Sequence, residues 1–418
     1  MRIITLLNKF YPLKSFVYVK DQLEKIEGSE SYVVDIIPRK NGIVKCSICC
    51  LSCSIYDSNQ QSRLFEFVPL WGIKVYLRYF MRRVSCVGCG VRVEKVPWAE
   101  GKNHLTQGHQ IFLAQWARRL SWKETAEVFC TSWENVFRSV RWIVTYGLTH
   151  QSLDGISAIG VDEWQYAYGH RYVTLVYQIN DGIKRLLFIT KDRTKESLNL
   201  FFDKLGPNKS SQLKYICTDM WRNYLNVVAE RAPQALNILD RFHIVQKLNK
   251  ALDKVRASES KRMAQEGYED ILKHTKYCFL KNERNLTKTQ ETKLSEVLQY
   301  NLKSVRAFLL KESFQLFWQY QSPYWAEWYL KKWCTRAMRS RLRPIKDFVK
   351  TIRNHQPLVM NWFKAKKAYS SGTIEGLNRK VNLVTRKSYG FRSYEVLKIA
   401  LFHTMGNLPE PKLTHRFC

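Results

Sequence analysis

Two acidic residues each end an apolar run of the kind that forms a buried strand. Asp162 ends the run that begins at Ile156, and Asp219 ends the run that begins at Leu213. Because ligands of open α/β sheets bind beyond the carboxyl ends of the strands, we expect the two carboxylates to meet on neighbouring strands. They would repel each other unless a divalent cation lay between them, and oxygen ligands select Mg²⁺ or Mn²⁺. The sequence therefore predicts a magnesium or manganese site.

A third acid is predicted to come from a helix that packs on the same sheet. Residues 370–382 place Ile374, Leu377 and Val381 on one apolar stripe. The polar face of the same helix carries Glu375, Asn378, Arg379 and Asn382. Glu375 is one of two acids between residues 351 and 400, in basic surroundings where a salt bridge is the alternative role. Its place on this polar face favours Glu375 as the third metal ligand.

The sequence upstream of these segments contains two CxxC pairs, Cys46 with Cys49 and Cys86 with Cys89. Two such turns can supply the four thiolates of a tetrahedral structural Zn²⁺ site, and the alternating segments between them are typical of a zinc ribbon. The 36 intervening residues exceed the commonest finger spacing. Cys50 and Cys53 leave open which thiols of the first cluster bind, and reduced buried cysteines are the alternative. An odd total of 11 cysteines argues against a disulfide framework.

The net charge of the chain indicates the class of its partner. The 418 residues carry 68 Lys and Arg against 36 Asp and Glu, a net charge of +32. Of these residues, 23 basic and 6 acidic ones lie in 301–418. An excess of this size is stabilised by a polyanion, which favours nucleic acid, and a merely soluble basic protein is the alternative. With 45% apolar residues, the chain can bury cores, and no apolar run is long enough to cross a bilayer.

Residues 105–150 have the pattern of a helix-turn-helix. A helix from Phe112 is followed by two predicted capping boxes, Ser121 with Glu124 and Thr131 with Glu134. The second of the two following helices carries the candidate DNA-binding residues Arg138 and Arg141. An ordinary helical hairpin has the same spacing and remains the alternative.

From residue 156 the pattern predicts the element order β-β-β-α-β-α-β-α. This is the order of an α/β, ribonuclease-H-like core with a mixed sheet, in which an antiparallel meander continues into parallel strands. A helical stretch rich in Lys and Trp follows and is predicted to be an insertion. Its aromatic residues could stack on splayed nucleotides or form its packed core. The predicted domains are a strand-rich zinc-binding module (1–104), a helix-turn-helix (105–150), the first part of the core (151–241), the helical insertion (242–368), and the Glu375 helix with a basic tail (369–418).

Several motifs together resemble the bacterial insertion-sequence transposases of the ISL-three (ISL3) family. They are Gly160-Val-Asp-Glu-Trp, Thr218-Asp-Met-Trp, Leu239-Asp-Arg-Phe-His-Ile and Gly372-Thr-Ile-Glu-Gly-Leu-Asn-Arg-Lys. The resemblance extends over nearly the whole chain from about residue 30. It implies a DDE transposase whose acidic triad is Asp162, Asp219 and Glu375, with Asp240 and His243 as auxiliary residues of the catalytic site. A helix N-cap is the alternative role of Asp240. One departure is Cys50, which stands where a Gly is expected after the first CxxC pair.

The expected activity is metal-dependent DNA cleavage at insertion-sequence ends and strand transfer into target DNA, by two-metal-ion chemistry with Mg²⁺ or Mn²⁺. Structural Zn²⁺, terminal inverted repeats and target DNA as partners, a homodimer or higher oligomer, and a bacterial cytoplasmic, nucleoid-associated location are also expected. Candidate phosphate contacts of the basic tail are Lys380, Arg386, Lys387 and Arg392. The rival functions are a DNA-binding regulator without catalysis and a structure-specific nuclease on the same fold.

Overall fold

A computed structural model describes residues 2–269, 271–367 and 371–411, which divide into two compact units. The terminal unit comprises the residues up to Ser152 together with those from Leu383 onward, and the central unit comprises Leu153–Asn382. Ser370, which opens the predicted Glu375 helix, and Cys418 lie outside the described residues. Among the helices described, none is both long enough and apolar enough to span a membrane.

The described residues form ten strands and sixteen α-helices. The strands are β1 (Phe16–Ile26), β2 (Ser29–Pro38), β3 (Ser54–Leu70), β4 (Ile73–Cys86), β5 (Gly90–Val93), β6 (Ala158–Ala167), β7 (Arg171–Gln178), β8 (Arg185–Lys191), β9 (Tyr215–Thr218) and β10 (Leu236–Leu239). The helices are α1 (Ile3–Phe10), α2 (Gln107–Ala117), α3 (Trp122–Val128), α4 (Trp133–Thr149), α5 (Lys195–Leu205), α6 (Pro207–Ser210), α7 (Arg222–Arg231), α8 (Arg241–Gln265), α9 (Lys276–Leu280), α10 (Lys288–Leu298), α11 (Lys303–Phe317), α12 (Pro323–Arg339), α13 (Arg343–Asn354), α14 (Gln356–Lys364), α15 (Ser371–Lys387) and α16 (Tyr394–Met405).

The sheet of the terminal unit has the order β1-β2-β4-β3, with β5 paired to β4. Strands β2 and β4 are parallel, and the other pairs are antiparallel. Alternating apolar residues of these strands face a core centred on the fully buried Trp98. The edges of Phe16, Phe65 and Tyr79 meet the Trp98 ring at centroid distances of 4.9, 5.9 and 5.4 Å. This aromatic cluster fixes the sheet from which the cysteine-bearing turns project.

Helices α2, α3, α4 and α16 pack in the terminal unit. The predicted capping box at Ser121 and Glu124 is present, with both of its hydrogen bonds. The predicted box at Thr131 and Glu134 is not formed, because helix α4 begins one residue later. Ser132 is its N-cap, and Glu134 pairs with Arg138 instead. The short helix, turn and second helix of the predicted pattern are therefore α3 and α4.

The sheet of the central unit has the order β10-β9-β6-β7-β8. Strands β6, β7 and β8 form an antiparallel meander, and β6, β9 and β10 are parallel neighbours joined through helices. The predicted order of elements is therefore present. Asp162 does not end its strand, however, because β6 continues to Ala167 as one arm of the hairpin with β7. Its pairing with β9 stops at Gly160, so Asp162 lies just beyond the parallel part of the sheet.

Helices α8 to α14 form the stretch predicted to be an insertion. Its aromatic residues separate into two groups. Phe317, Trp318, Trp333 and Trp362 are buried and contact one another or neighbouring rings, as a packed core requires. Tyr324, Trp325 and Trp328 on α12 are exposed. Asn361 of α14 donates a hydrogen bond to the Asn237 carbonyl at 2.7 Å, which ties the end of this stretch to strand β10.

Candidate active site and cysteine centre

Helix α15 lies along strand β6 with matched spacing. A Cβ atom on Gly160 would lie 2.8 Å from Ile374 Cδ1, so the glycine permits the close approach. Further along, the Asn378 amide donates to Asp162 Oδ2, and Trp164 Nε1 donates to Asn382 Oδ1 at 3.0 Å. Contacts therefore recur every two residues on the strand, about 6.6 Å, and every four residues on the helix, about 6 Å. This agreement fixes the register of α15 on the sheet.

Asp162 is the most enclosed of the three predicted acids. One of its oxygens accepts from the Glu163 backbone N–H at 2.8 Å, and the other accepts from Asn378. The Tyr177 hydroxyl donates to Asn378 Oδ1 at 2.9 Å, which orients that amide toward the carboxylate. Burial raises the pKa of Asp162, while the hydrogen bonds and the nearby His243 act in the opposite direction. The negative charge of Asp219 raises this pKa further, so the two acids interact.

Asp219 follows β9 directly, as predicted. The β6–β9 register pairs Gly160 with Cys217, so extending it two residues brings Asp219 level with Asp162. Asp219 Oδ1 accepts from the Trp221 backbone N–H at 2.9 Å. The parallel register of β9 and β10 continues the row to Asp240, whose N–H donates to the Thr218 carbonyl at 2.8 Å. Asp162 within β6, Asp219 after β9 and Asp240 after β10 thus lie at one level on three adjacent strands.

An arginine that the sequence analysis did not identify joins this row. Arg193 Nε lies 2.6 Å from Glu163 Oε1, and its Nη2 lies 3.9 Å from Asp219 Oδ2. The guanidinium stacks over the Trp221 ring at 4.8 Å, which holds it in place. Burial, and then the charge of Asp219, raise the pKa of Glu163 to about 8 against the opposing effect of Arg193. Glu163 could have been noticed as the acid next to Asp162, but no sequence pattern indicates Arg193.

Glu375 lies on α15 one helical turn before Asn378, the residue that contacts Asp162. Residues three apart on a helix are surface neighbours, so Glu375 is one turn from the Asp162 contact. Its carboxylate pairs with Arg379 at 2.7 Å, and the predicted apolar stripe of the helix is buried. The salt bridge considered as an alternative role is therefore formed. The three acids do not lie within 4.8 Å of one another, so they are not assembled as a finished metal cage.

Asp240 and His243 occupy the start of α8. The Asp240 side chain accepts from the Phe242 N–H at 2.7 Å and caps the helix, which is the alternative that the sequence left open. His243 Nδ1 lies 3.4 Å from Asp240 Oδ2, and the charge of His243 lowers the pKa of Asp162. Capping and proximity to the candidate site are therefore both present in this pair.

The four CxxC cysteines converge in the terminal unit. The sulfur atoms of Cys46, Cys49, Cys86 and Cys89 all lie within 4.8 Å of one another. No other group of three or more Cys, His, Asp or Glu ligand atoms in residues 2–269, 271–367 and 371–411 is as close. The second pair lies on the tight turn between β4 and β5, and the hydrogen bond with Cys49 lowers the pKa of the Cys86 thiol to about 6. Four converging sulfur ligands fit a tetrahedral Zn²⁺ site.

Cys50 occupies a glycine-like position beside this cluster. Its φ is +61°, and that of Gly90, the equivalent residue after the second pair, is +72°. The glycine expected after the first CxxC pair is thus replaced by a residue in the same left-handed conformation. The Cys50 sulfur accepts from Lys95 Nζ at 3.1 Å. Neither Cys50 nor Cys53 belongs to the group of four sulfurs.

Comparison with known proteins decides the identity of this arrangement. A family model for DDE transposases of the ISL3 type, described as "Transposase", matches residues 159–401, more than half of the chain. The chain belongs to the ISL3 transposase family. It is 24% identical over 356 residues to the transposase for insertion sequence element IS1001 of Bordetella parapertussis, covering 84% of this chain and 86% of that protein. It is 27% identical over 403 residues to the transposase for insertion sequence element IS1557 of Mycobacterium tuberculosis, covering 90% and 89%.

The protein is therefore an insertion-sequence transposase that cleaves DNA at the ends of its element and transfers strands into target DNA. Two of its candidate DNA contacts lie on the exposed side of α4. Arg138 is held by the ion pair with Glu134 at 2.6 Å, and the Arg141 guanidinium lies 5.6 Å from the centre of the Phe137 ring. Both cations remain at the surface.

The basic tail of the transposase presents its cations unequally. Lys380, Arg386 and Arg392 are exposed. Lys387 instead donates to the Arg118 carbonyl at 3.2 Å, and burial lowers the pKa of its ammonium group. Of the four predicted phosphate contacts, Lys387 is the one that has a hydrogen-bond partner among the residues the structure describes.

Proposed function

We propose that this transposase acts through a DDE site in which Asp162, Asp219 and Glu375 hold divalent cations, on a ribonuclease-H-like core. The oxygen-only donor set fits Mg²⁺ or Mn²⁺. Bound ions of this kind activate the attacking oxygen and neutralise charge at the scissile phosphate. The observation that supports the assignment best is the register of α15 on β6. It brings Glu375 within one helical turn of the amide that binds Asp162.

The surrounding residues have separable tasks in this proposal. Asn378 orients Asp162, and Tyr177 orients Asn378. The Arg193 guanidinium places a positive charge beside Asp219 while no DNA is bound. Asp240 and His243 are auxiliary groups at the start of α8, where His243 favours the charged form of Asp162. The DNA strand cut at the element end then presents its 3′-hydroxyl to target DNA at the same acids.

The terminal unit is proposed to recognise the terminal inverted repeats. The four cysteines would hold structural Zn²⁺ in a zinc-ribbon-like module, and α3 with α4 would act as a helix-turn-helix through Arg138 and Arg141. Lys380, Arg386 and Arg392 would contact backbone phosphates. Because two element ends must be joined, we also propose that the active form is a homodimer or a higher oligomer, in the cytoplasm beside the nucleoid.

The decisive experiment uses the full-length protein, Mg²⁺ and an end-labelled duplex carrying the inverted repeats that bracket the gene. Asp162→Asn, Asp219→Asn and Glu375→Gln should each reduce cleavage and strand joining to the level seen without divalent cation. Glu395→Gln is the matched control, because Glu395 is the other acid between residues 351 and 400 and is exposed on α16.

DNA binding without Mg²⁺ should survive all four substitutions, which separates lost chemistry from lost folding. Parental cleavage by the three triad variants would show that the acids are wrongly assigned. Loss by Glu395→Gln as well would show that charge alone, rather than metal ligation, explains the result.

A further inference from the structure

Helix α8 carries a stripe of basic residues that begins at the candidate active site. His243, Lys247, Lys250 and Lys254 are separated by four, three and four residues, so they share one face of the helix. His243 Nδ1 lies 3.4 Å from Asp240 Oδ2, and Asp240 continues the row of acids that contains Asp162 and Asp219. From there the stripe extends over eleven residues, about 16 Å along the helix axis. That length equals about five nucleotide steps of one strand of B-DNA.

The three lysines form one wall of a groove whose volume is about 370 Å³. Helix α13 provides the opposite wall, and Ala251 and Phe348 are buried along the contact between the two helices. The α13 wall includes the exposed Arg343 and Asp347. Four cations and a single acid therefore line one depression of the surface.

Two arginines elsewhere on α8 have carboxylate partners, unlike the lysines of the groove. Away from the groove, Arg256 pairs with Asp253 at 2.8 Å, and Arg262 pairs with Glu259 at 3.8 Å. Among the described residues, no carboxylate lies within 4.0 Å of the ammonium groups of Lys247, Lys250 and Lys254 or of the Arg343 guanidinium. The groove thus concentrates positive charge that the chain does not neutralise.

The positive charge of the groove also acts on a neighbouring histidine. His355, which follows α13, has its pKa lowered by burial and then by the positive charge of Lys247.

The chain offers few groups that could compensate the charge of the groove from a second copy, since it has 36 acidic against 68 basic residues. A polyanion of another kind is the complementary partner.

We propose that the α8–α13 groove binds the sugar-phosphate backbone of the DNA whose scissile phosphate lies at the acids, so that the helical insertion is itself a DNA-binding element. The groove residues differ from those proposed to contact DNA on α4 and in the basic tail. The location relative to the cut rests on the proposed function, whereas backbone binding by the groove does not. The groove would hold the strand by charge and without sequence preference, because phosphates carry no direct sequence information.

The test measures binding of the full-length protein to the inverted-repeat duplex with flanking DNA, at several salt concentrations and without divalent cation. The triple variant Lys247→Gln, Lys250→Gln, Lys254→Gln should lower the slope of log affinity against log salt by about two to three, because each phosphate contact contributes about 0.9. Affinity near 0.1 M salt should fall by about 100-fold.

Two matched variants complete the design. The first replaces three exposed lysines elsewhere in the insertion with the same loss of charge, Lys273→Gln, Lys288→Gln and Lys303→Gln. Its slope should change by less than one. The second replaces the groove lysines by arginine and should retain the parental slope, which would exclude a folding defect of α8 as the cause.

Equal slope changes in the two glutamine triples would overturn the groove assignment and leave only a general charge effect. An unchanged slope together with altered oligomeric state in the groove variant would assign the surface to a second copy of the chain instead. Because no cleavage is measured, failure of the acidic triad would leave this result unaffected.

Discussion

The two candidate metal centres of this transposase differ in how completely the free chain assembles them. Four cysteine sulfurs from a 44-residue segment already lie within 4.8 Å of one another. The three acids are spread over more than 200 residues, from Asp162 to Glu375, and each has partners within the chain. A structural site benefits from closed, local ligands, whereas a catalytic site must stay open for substrate. Under the proposed function, the acidic site would be completed by cation and DNA, and the cysteine site by cation alone.

The largest effect is expected from a substitution in the cysteine site, whose four sulfurs already lie together. Cys86→Ser removes a buried cysteine of the proposed zinc site, and structural Zn²⁺ sites contribute about 10–16 kcal/mol of apparent binding free energy in small zinc domains. The variant should lose its zinc, about one ion per chain, and the β4–β5 turn should lose its order. Elemental analysis of the purified protein and thermal unfolding with and without chelator measure both effects.

Cys53→Ser is the matched control, because this thiol lies beside the cluster but outside the group of four sulfurs. It should retain zinc. If Cys53→Ser lost zinc while Cys86→Ser kept it, the ligand set would be wrong.

A smaller effect should follow from removing a residue that supports the acidic site. Asn378→Ala removes the amide that orients Asp162, and loss of a group supporting a metal ligand commonly costs 10- to 100-fold in metal affinity or activity. Cleavage should fall by about this factor, with the concentration of Mg²⁺ at half-maximal rate increased. Zinc content should not change, which would separate the two centres experimentally.

Asn382→Ala tests whether the effect is specific. Asn382 lies four residues along the same helix and bonds to Trp164 rather than to an acid. Its loss should leave the Mg²⁺ dependence near that of the parent. Similar losses in both variants would mean that Asn378 only helps to dock α15.

The sequence predicted contiguous features better than contacts across the fold. The CxxC spacing identified all four converging cysteines, and the apolar runs gave the order of the central sheet. Asp162 was placed at a strand end because the apolar run stops there, although alternating polar residues continue β6 into a hairpin. Arg193 could not be found, since its contacts with Glu163 and Asp219 arise only when three separate segments meet. Residue types predict ligands, but their partners depend on tertiary packing.

The smallest effect tests whether the ion pair between Arg379 and Glu375 keeps Glu375 from binding a divalent cation. Arg379 pairs with Glu375 on an exposed face of α15, and exposed ion pairs contribute about 0.2–1 kcal/mol. Arg379→Ala should free Glu375 and tighten Mn²⁺ binding by about 1.5- to 5-fold in protein without DNA, measured by paramagnetic resonance of free Mn²⁺. Arg138→Ala removes a pair of the same i, i+4 geometry on α4 and should leave Mn²⁺ affinity unchanged. Weaker Mn²⁺ binding by the Arg379 variant would instead mean that the arginine positions Glu375 for the cation. The acidic site would then be nearer to its metal-binding geometry than the separation of its three acids indicates.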